Sequence, residues 1–261
     1  MLVPTKADRL RVVLVATRNP LNIGAAARAM SNFGFSNLGV VNPYHIAFRE
    51  ARSAIGASAL LANAKEYNTV AEAVADCTLV VGTTAVGHRH LQLPLRSLKQ
   101  GASLMRRRLE SGKTALLFGS EKVGLSNKDL NYCNWLINIP THQDNLSMNL
   151  GQAVAVCLYE LVRDPSIRDG SKGPEDKQGL ATAGDIERIT VLLLETLQAS
   201  GYVKSRAATE SKVRRTIHRL NLKASDSAVW LGMLRQILWK LQSGEGDGLK
   251  IAQTSRANRL I

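Results

Sequence analysis

The sequence predicts a three-layer α/β domain built on a parallel β-sheet, with a small helical extension after it. Two observations predict this architecture. Short apolar runs rich in β-branched residues recur along the first half of the chain, and stretches with helical spacing separate them. Such runs are typical of strands that are buried on both faces of a parallel sheet, and repeated strand–helix units build a three-layer domain.

The predicted elements follow one another along residues 1–163, which we assign to this domain. Strands are expected at RVVLVA (11–16), NLGVVN (37–42), TLVVG (78–82), TALLF (114–118) and NWLINI (134–139). Helices are expected at 23–33, where Gly34 closes the first of them, and at about 50–63, 69–75, 95–110 and 148–163.

The second half of the chain has a different organisation. Residues 164–184 are rich in Gly, Pro and charged side chains, which predicts a linker. A helical extension is expected over 185–242, followed by a flexible tail at 243–261 that has little apolar content. Its predicted helices are 185–199, about 207–220 and 226–241, and the last places Leu231, Leu234, Leu238 and Leu241 at the spacing of a buried face.

The composition is that of an ordinary globular protein, with 45% hydrophobic and 21% charged side chains among 261 residues. No apolar run approaches the roughly 20 residues that a membrane span needs. The three cysteines, Cys77, Cys133 and Cys157, form no C-x-x-C pair. We therefore expect neither disulfides nor a zinc site, but buried thiols in a reducing cytoplasm.

The net charge of +13 suits a polyanionic partner, and nucleic acid is favoured over a membrane because no basic amphipathic anchor stands out. Simple solubility is the alternative explanation. The distribution of the charge favours RNA or DNA, because the basic side chains form two separate clusters. One comprises Arg106, Arg107, Arg108 and Lys113, and the other Lys204, Arg206, Lys212, Arg214, Arg215, Arg219 and Lys223.

The first candidate site segment is FGSEKVGLS (118–126), directly after a predicted strand. Gly119 and Gly124 have the spacing of a phosphate loop, but Leu125-Ser126 stands where that loop needs Lys and then Ser or Thr. Nucleoside triphosphate binding is therefore not expected. A glycine-rich turn remains, at the strand end where open α/β sheets bind ligands. Glu121 projects from it, either as a site residue or as a solvated surface glutamate.

The second segment is IPTHQDNLSMNLGQAVAVCLYE (139–160), where a strand ends and a polar loop leads into an apolar helix. Ser147 stands where the N-cap of that helix is expected, and Asn149 falls in the first turn. Capping alone would explain Ser147. A hydroxyl and an amide two residues apart at the mouth of a helix can also bind a ligand.

The third segment, GTTAVGHRHLQLP (82–94), again follows a strand end. His88 and His90 lie two residues apart without a carboxylate nearby, which makes a poor metal site. We expect no metal here and favour an RNA-facing loop.

The fourth segment is NIGAAARAM (22–30), in which Arg28 sits among small apolar residues. Asn22 is expected to cap the helix. Long side chains on a helix lean towards its N-terminus, and for Arg28 the positions beneath are Ala25 and Gly24. The guanidinium is thus expected to lie towards Asn22 and the sheet edge, where it could hold a phosphate. Pairing with a nearby carboxylate is the alternative.

Three of these segments in this order, N-x-G-A-x-x-R-A, F-G-x-E-x-x-G-L-S and S-x-N-x-x-x-A, resemble the three motifs of the SPOUT class of RNA methyltransferases, in its TrmH-like branch. The resemblance covers residues 11–163. Within that branch the chain looks most like the TrmJ-type tRNA 2′-O-methyltransferases. Its C-terminal stretch RRTIHRLNL…LGMLRQI, after the linker, also resembles the helical extension of that subgroup.

The resemblance implies a sheet whose C-terminal part, about 114–163, is tied in a deep trefoil knot, and an obligate homodimer that uses S-adenosylmethionine without a metal. Catalytic positions of the family are occupied by Asn22, Arg28, Glu121, Ser147 and Asn149. The implied cofactor-binding residues are Thr83, Thr84, Phe118, Gly119, Ser120, Glu121, Gly124, Leu125, Ile139, Pro140, Ser147, Met148 and Leu150. One departure is the loop Val86–His90, which lacks the arginine-rich stretch that the family carries there.

The implied reaction is 2′-O-methylation of tRNA at C or U in position 32 of the anticodon loop, in the cytoplasm. A guanidinium is a poor proton acceptor, so Arg28 is expected to grip the phosphate and to stabilise the developing alkoxide, with the proton acceptor unassigned. Two alternatives stay open: the same chemistry on ribosomal RNA or on another tRNA ribose, and a catalytically silent RNA-binding protein. The role of the C-terminal helices, in gripping tRNA or in supporting the dimer, is also open.

Overall fold

A computed structural model of the chain describes residues 6–44, 48, 58–85, 92–142, 146–163, 179–203 and 206–257. Part of the predicted helix at 50–63, the loop Val86–His90 and most of the predicted linker lie outside these residues. The strands are β1 (Leu10–Val15), β2 (Asn37–Val41), β3 (Lys65–Tyr67), β4 (Leu79–Thr83), β5 (Leu95–Ser97), β6 (Thr114–Phe118) and β7 (Trp135–Asn138).

The described helices fall into two groups. Those that accompany the sheet are α1 (Lys6–Arg9), α2 (Pro20–Asn32), α3 (Ser58–Ala62), α4 (Val70–Val74), α5 (Leu98–Ser111), α6 (Asn127–Leu130) and α7 (Leu150–Val162). Those of the C-terminal unit are α8 (Ala183–Ala199), α9 (Arg206–Arg219) and α10 (Ala224–Ala257). Helix α10 thus continues into the segment that we predicted to be a flexible tail.

The sheet is parallel throughout its strand pairs, in the order β3-β2-β1-β6-β4-β7-β5. One face packs under α2, α5 and α7, and the other under α4 and α6. Because side chains alternate along a strand, β1 sends Val12 and Leu14 to the first core and Val13 and Val15 to the second. The predicted α/β class is confirmed. The knot stays a prediction.

Two strands were missed because neither is an apolar run. Strands β3 (KEY) and β5 (LRS) have three residues each and lie at the two edges of the sheet, where polar side chains are tolerated. Residues 95–97 were therefore wrongly included in a helix. Helix α5 begins only after Ser97, whose side chain accepts from the backbone of Gln100 in a capping box.

The C-terminal unit has its own small core and packs on the sheet face that carries α4 and α6. Of the four leucines that the spacing placed on a buried face, Leu234 is buried and Leu231 packs against the same core, whereas Leu238 and Leu241 are only half-buried. The backbone N–H groups of Ala183 and Gly184 donate to Cys77 and Ala75, both at 2.8 Å. Residues 179–182, predicted as linker, are therefore already part of this packed unit, in which Ala181 pairs with Leu222.

Side chains directly after α6 and side chains of α9 complete this contact. Asn131 donates to the Ser211 hydroxyl at 2.9 Å and accepts from Arg215 at 3.1 Å. The guanidinium carbon of Arg214 lies 4.7 Å from the centre of the Tyr132 ring, a cation–π contact. The extension is thus fixed to the sheet domain by specific polar contacts.

At the amino edge of the sheet, a buried arginine ties three elements together. Arg11 of β1 donates to both oxygens of Asp76, at 2.6 and 3.1 Å, and to the carbonyl of Ala73 at 2.6 Å. Lys113 donates to the same carboxylate at 2.8 Å. Burial opposes ionisation of Asp76, but the hydrogen bonds from Arg11 and Lys113 outweigh it and hold the pKa of its carboxyl well below the usual value.

We expect Asp76→Asn to lower the free energy of unfolding by about 2 kcal/mol at pH 7, since it leaves Arg11 buried without its counter-ion. The figure is discounted because the Asp76 side chain is 43% exposed. Because the pKa of the Asp76 carboxyl is lower in the folded state, its contribution to stability is fully present above the unfolded pKa of about 3.9. This contribution is lost progressively as the pH falls from there through the folded-state pKa. Urea unfolding of both proteins at pH 7 and at pH 3 checks this. If the free energy of unfolding of Asp76→Asn differs from that of the wild type by the same amount at both pH values, the prediction is contradicted.

Candidate functional site

A cavity of about 580 Å³ opens at the carboxyl ends of β4, β6 and β7. Three loops line it, one after each of these strands, and the start of α2 completes it. Parallel α/β sheets bind ligands at this edge. The cavity brings together nearly all the predicted site residues: Asn22, Thr83, Thr84, Phe118, Gly119, Ser120, Glu121, Gly124, Leu125, Ile139, Ser147, Met148, Asn149 and Leu150.

The loop after β6 is a tight turn. Ser120 and Gly124 form an antiparallel bridge, in which the N–H of Gly124 donates to the Ser120 carbonyl at 2.8 Å. Gly124 has a φ of +68°, a conformation that favours glycine. A Cβ on Gly119 would lie 1.9 Å from the carbonyl carbon of Gly124, so only glycine fits there. The two glycines are therefore required by the backbone and not by a phosphate.

The loop after β7 enters α7 differently from our expectation. The prediction that Ser147 caps this helix is wrong: Asn149 is the N-cap, and its Oδ1 accepts from the N–H groups of Gly151 at 2.9 Å and Gln152 at 3.3 Å. The helix begins at Leu150, two residues later than predicted, because Leu150 is the first residue that packs into the core. Ser147 is exposed in the loop and lines the cavity.

The start of α2 also differs. The prediction that Asn22 caps α2 is wrong, since Asn19 is the N-cap, its side chain accepts from Leu21 at 2.9 Å, and Pro20 takes the first helical position. Asn22 lies one turn inside the helix, where it is buried. Its amide is thereby free to bond across the site.

A chain of hydrogen bonds joins the three motif segments. Asn149 Nδ2 donates to Asn22 Oδ1 at 2.8 Å, and Asn22 Nδ2 donates to Glu121 Oε1 at 3.0 Å. The backbone N–H groups of Arg18 and Asn19 also donate to the Glu121 carboxylate, at 3.3 and 3.2 Å. Glu121 is thus exposed to solvent but held on three sides, which excludes the alternative that it is merely a solvated surface residue.

The Glu121 carboxylate remains ionised at neutral pH. Burial works against its charge, but the hydrogen bond from Asn22 and those from backbone N–H groups outweigh it and lower the pKa of the carboxyl. A carboxylate with a lowered pKa is a weak proton acceptor. Its position suits the fixing of the loop after β6 against α2 better than proton transfer.

We expect Glu121→Gln to weaken ligand binding in this cavity about tenfold, because an amide NH₂ would face N–H donors and one loop contact is lost. Isothermal titration with S-adenosylmethionine is the measurement. Glu195→Gln, an exposed carboxylate on α8, serves as the control. Unchanged affinity of the Glu121 variant would show that the loop keeps its shape without this carboxylate.

Arg28 does not reach the cavity. It lies six residues after Asn22, which is about 9 Å along the helix and about 240° around it. Its side chain is exposed, it lines neither described cavity, and it has no ion pair among the described residues. The expected reach towards Asn22 is therefore wrong within one chain, and the described residues offer no support for the carboxylate alternative. Arg28 shares an exposed stripe with Ala25 and Leu21, and the Leu21 side chain is 79% exposed.

The remaining predicted residues are placed as follows. Pro140 does not line the cavity, although its neighbour Ile139 does. Thr83 donates its hydroxyl to the Leu117 carbonyl at 2.9 Å, which ties the end of β4 to β6. Lys122 and Val123 also line the cavity and fall within the predicted loop 118–126, whereas the lining residues that sequence reasoning missed are Ala85, Ile137, Thr141, Leu146 and Ala153. Most of them directly adjoin predicted ones, so the three loops as whole segments were the usable signal.

A second cavity, of about 610 Å³, lies on the other side of Glu121. It is bounded by Ala16, Arg18 and Asn19 from the end of β1 and by Ser120–Val123 from the loop after β6, and it shares Asn22 and Ser120–Val123 with the first. Nothing in the sequence pattern predicted it, because it forms between two loops about 100 residues apart in the chain.

The basic clusters do not surround this site as two free patches. Arg106 donates to the Glu160 carbonyl at 2.6 Å, and Lys113 pairs with Asp76, at the opposite edge of the sheet. Arg214 is buried in the C-terminal unit, where it pairs with Glu187 and, at 2.9 Å, with Glu210. These three cations stabilise the fold, which leaves fewer side chains for a polyanion than their number in the sequence suggests.

The thiols and the possible metal ligands add no chemistry here. All three cysteines are buried, as predicted, and burial raises the pKa of both Cys77 and Cys157 to about 12. Within the described ranges no group of three or more His, Cys, Asp or Glu residues could hold a metal ion. No helix in this part of the chain is both long and apolar enough to cross a membrane.

Comparison with known proteins gives consistent results. The model of the SpoU rRNA Methylase family matches residues 9–159. A tRNA (cytidine/uridine-2′-O-)-methyltransferase TrmJ of Pectobacterium atrosepticum is 34% identical over 237 residues, covering 90% of this chain and 97% of its own. The enzyme of the same name from Sodalis glossinidius is 32% identical over 239 residues, covering 87% and 91%. The crystal structure of TrmJ from Z. mobilis ZM4 superposes with a TM-score of 0.74 at 29% identity, over 87% of this chain and 98% of that one.

Proposed function

The chain belongs to the SpoU rRNA methylase family, and from this premise we propose that it methylates the 2′-hydroxyl of a tRNA ribose with S-adenosylmethionine as methyl donor. We propose C or U at position 32 of the anticodon loop as the target and the cytoplasm as the compartment. The relatives that cover most of the chain are named as tRNA methyltransferases, which supports tRNA over other RNA.

The observation that carries this proposal is the hydrogen-bond chain from Asn149 through Asn22 to Glu121. It joins the three segments that resemble the family motifs, at the edge of a cavity at the carboxyl ends of the strands. Side chains from three separate segments that hold one another in place at an opening form a fixed polar arrangement, which suits the binding of a ligand.

The cavity fits S-adenosylmethionine in size and in chemistry. Its volume of about 580 Å³ is within the range of cofactor sites. Phe118, Leu125 and Ile137 supply apolar surface for an adenine ring, and the backbone of Gly119–Gly124 supplies polar groups for a ribose. The remaining predicted cofactor-binding residues are Thr83, Thr84, Ser120, Glu121, Ile139, Pro140, Ser147, Met148 and Leu150. Of these, Pro140 would act by shaping the loop.

When bound, S-adenosylmethionine supplies a methyl group on a positively charged sulfur, which a 2′-oxygen can attack. The protein must then position the ribose and stabilise the oxygen as it loses its proton. We assign the positioning to Ser147, whose hydroxyl lines the cavity, and to Asn22 and Asn149, whose mutual hydrogen bond fixes both amides. Glu121 holds the loop after β6 against α2. The proton acceptor is unassigned.

Arg28 has a role in this proposal only if a second copy of the chain completes the site. The resemblance implies an obligate homodimer, and the exposed stripe of Leu21, Ala25 and Arg28 is a face of α2 suited to such a partner. An apolar side chain that is 79% exposed at the start of a helix gains from coverage. In the dimer, Arg28 of one copy would grip the RNA phosphate at the cavity of the other.

One alternative has support from a specific observation, because the matching family is described by rRNA methylation. The same site could then act on ribosomal RNA. A catalytically silent RNA-binding protein is opposed by the presence of Asn22, Arg28, Ser147 and Asn149 together, since a protein without activity has no need of all four.

Mapping 2′-O-methyl groups in total RNA from a deletion strain tests the proposal. We expect the loss of one methyl, at position 32 of tRNA, and its return when the gene is restored. Loss only from ribosomal RNA would establish the alternative substrate. No loss anywhere, together with no binding of S-adenosylmethionine by calorimetry, would favour the silent protein.

A further inference from the structure

Helix α10 carries an exposed apolar stripe that no described part of the chain covers. Val229 is 59% exposed, and Met233 and Ile237 are each 48% exposed, at successive spacings of four residues. A different face of the helix packs in the C-terminal core through Leu231 and Leu234. A soluble helix normally exposes its polar side, so three large apolar side chains in a row indicate a surface that is covered by a partner.

The stripe has a palindromic pattern along the helix. Asp226, Val229, Met233, Ile237 and Lys240 follow one another at spacings of three, four, four and three residues. At 100° per residue all five lie within about 40° of Met233 around the helix. Asp226 and Lys240, at the two ends, are both exposed. The pattern reads the same in both directions, except that the charge at one end is the opposite of the charge at the other.

From this pattern we infer that α10 pairs with α10 of a second copy in an antiparallel, two-fold symmetric contact centred on Met233. In such a pair, each residue faces the one equally far on the other side of the centre. Val229 then packs on Ile237 of the second copy, and Asp226 lies beside its Lys240. Both contacts occur twice, so every member of the stripe meets a complementary group.

The surroundings of Met233 allow the two helices to approach closely. A Cβ on Gly232, the residue before Met233, would meet no atom within 4 Å, so the helix surface beside the stripe is also open. A polyanion is a poor alternative occupant, because the centre of the stripe is apolar and its ends carry opposite charges. This contact is independent of the methylation chemistry and separate from the proposed homodimer face on α2.

Cysteine cross-linking of the full-length protein tests the inference. In packed helices with axes 8–10 Å apart, residues on a two-fold axis have Cα atoms about 5 Å apart, which a disulfide spans. Met233→Cys is therefore expected to form a disulfide-linked dimer under mild oxidation. The native cysteines are buried and give a low background. Val229→Cys is the matched control, since its two copies would lie about 12 Å apart and cannot be bridged.

We expect the cross-linked fraction of Met233→Cys to exceed that of Val229→Cys by at least about tenfold. The double variant Val229→Cys with Ile237→Cys is expected to cross-link as well as Met233→Cys. Equal cross-linking of the two single variants, or none in either, would overturn the inference. Absence of cross-linking in both is also the result expected if tRNA, and not a second copy, covers the stripe. Methylation activity, measured in parallel under reducing conditions, reports on the proposed function separately.

Charge exchange at the ends of the stripe gives a second test in the Met233→Cys background. Asp226→Lys places two lysines side by side at each end and is expected to slow disulfide formation several-fold at low salt. Adding Lys240→Asp to that variant restores opposite charges and is expected to restore the rate. A double variant that stays as slow as the single one contradicts the antiparallel register.

Discussion

Arg28→Ala is expected to lower the rate of tRNA methylation by about 100- to 1,000-fold while leaving the affinity for S-adenosylmethionine unchanged. The reason is the position of the side chain. Arg28 is exposed and lies outside the cavity of its own chain, and at the partner's cavity it would contact the RNA phosphate and not the cofactor, so its removal is expected to leave cofactor binding intact. The loss of a guanidinium that holds the phosphate and stabilises the developing alkoxide affects only the step that follows binding.

Arg107→Ala is the matched control for Arg28→Ala. It removes the same charge from the exposed end of α5, which leads to the opposite edge of the sheet. A comparable fall in both variants would indicate that the total charge, and not the Arg28 position, matters. Near-normal methylation by Arg28→Ala at normal RNA affinity would contradict the assigned role.

A mixed-dimer experiment decides whether Arg28 acts on its own site or on that of the partner. Arg28→Ala and Asn149→Ala are each expected to be inactive alone. If Arg28 acts across the dimer, each mixed dimer has one site with an intact cavity and an intact arginine. An equal mixture that exchanges subunits would then recover about a quarter of wild-type activity. If Arg28 acts within its own chain, no mixed dimer has an intact site, and the mixture stays inactive.

The parts of the fold that were predictable are those in which burial controls the local sequence. The five central strands are apolar because helices cover both faces of the sheet, and this pattern is visible without tertiary information. Strands β3 and β5 have no such pattern, since each exists only because an edge of the sheet offers hydrogen bonds. Their presence depends on the rest of the sheet and not on their own residues.

The candidate site divides in the same way. The three loops were predictable because loops after parallel strands meet at one edge of the sheet. The helix caps at Asn19 and Asn149 were not, because several adjacent polar residues could cap each helix and packing selects one. The direction of Arg28 was wrongly predicted because side-chain lean was considered without the helix face, and that face is set by the buried residues of α2.

Gly119→Ala is expected to abolish binding of S-adenosylmethionine, with at least about a 100-fold loss of affinity, because a Cβ cannot be accommodated in the loop after β6. That Cβ would lie 1.9 Å from the carbonyl carbon of Gly124 and 2.1 Å from the nitrogen of Leu125. Both are backbone atoms, so no side chain can move aside. The loop must open, which breaks the bridge between Ser120 and Gly124 and displaces the lining of the cavity.

Two further glycines separate this steric effect from a general effect of alanine. Gly124→Ala meets open space but must keep a φ of +68°, which costs about 1 kcal/mol and predicts a loss of tenfold or less. Gly179→Ala meets open space without that strain and is expected to bind normally. Calorimetry with S-adenosylmethionine gives the three affinities, and circular dichroism checks that each variant is folded. The loss of affinity is expected to be largest for Gly119→Ala, because of close contact, smaller for Gly124→Ala, because of strain, and absent for Gly179→Ala. A folded Gly119→Ala with normal affinity would mean that this loop does not form the cofactor site.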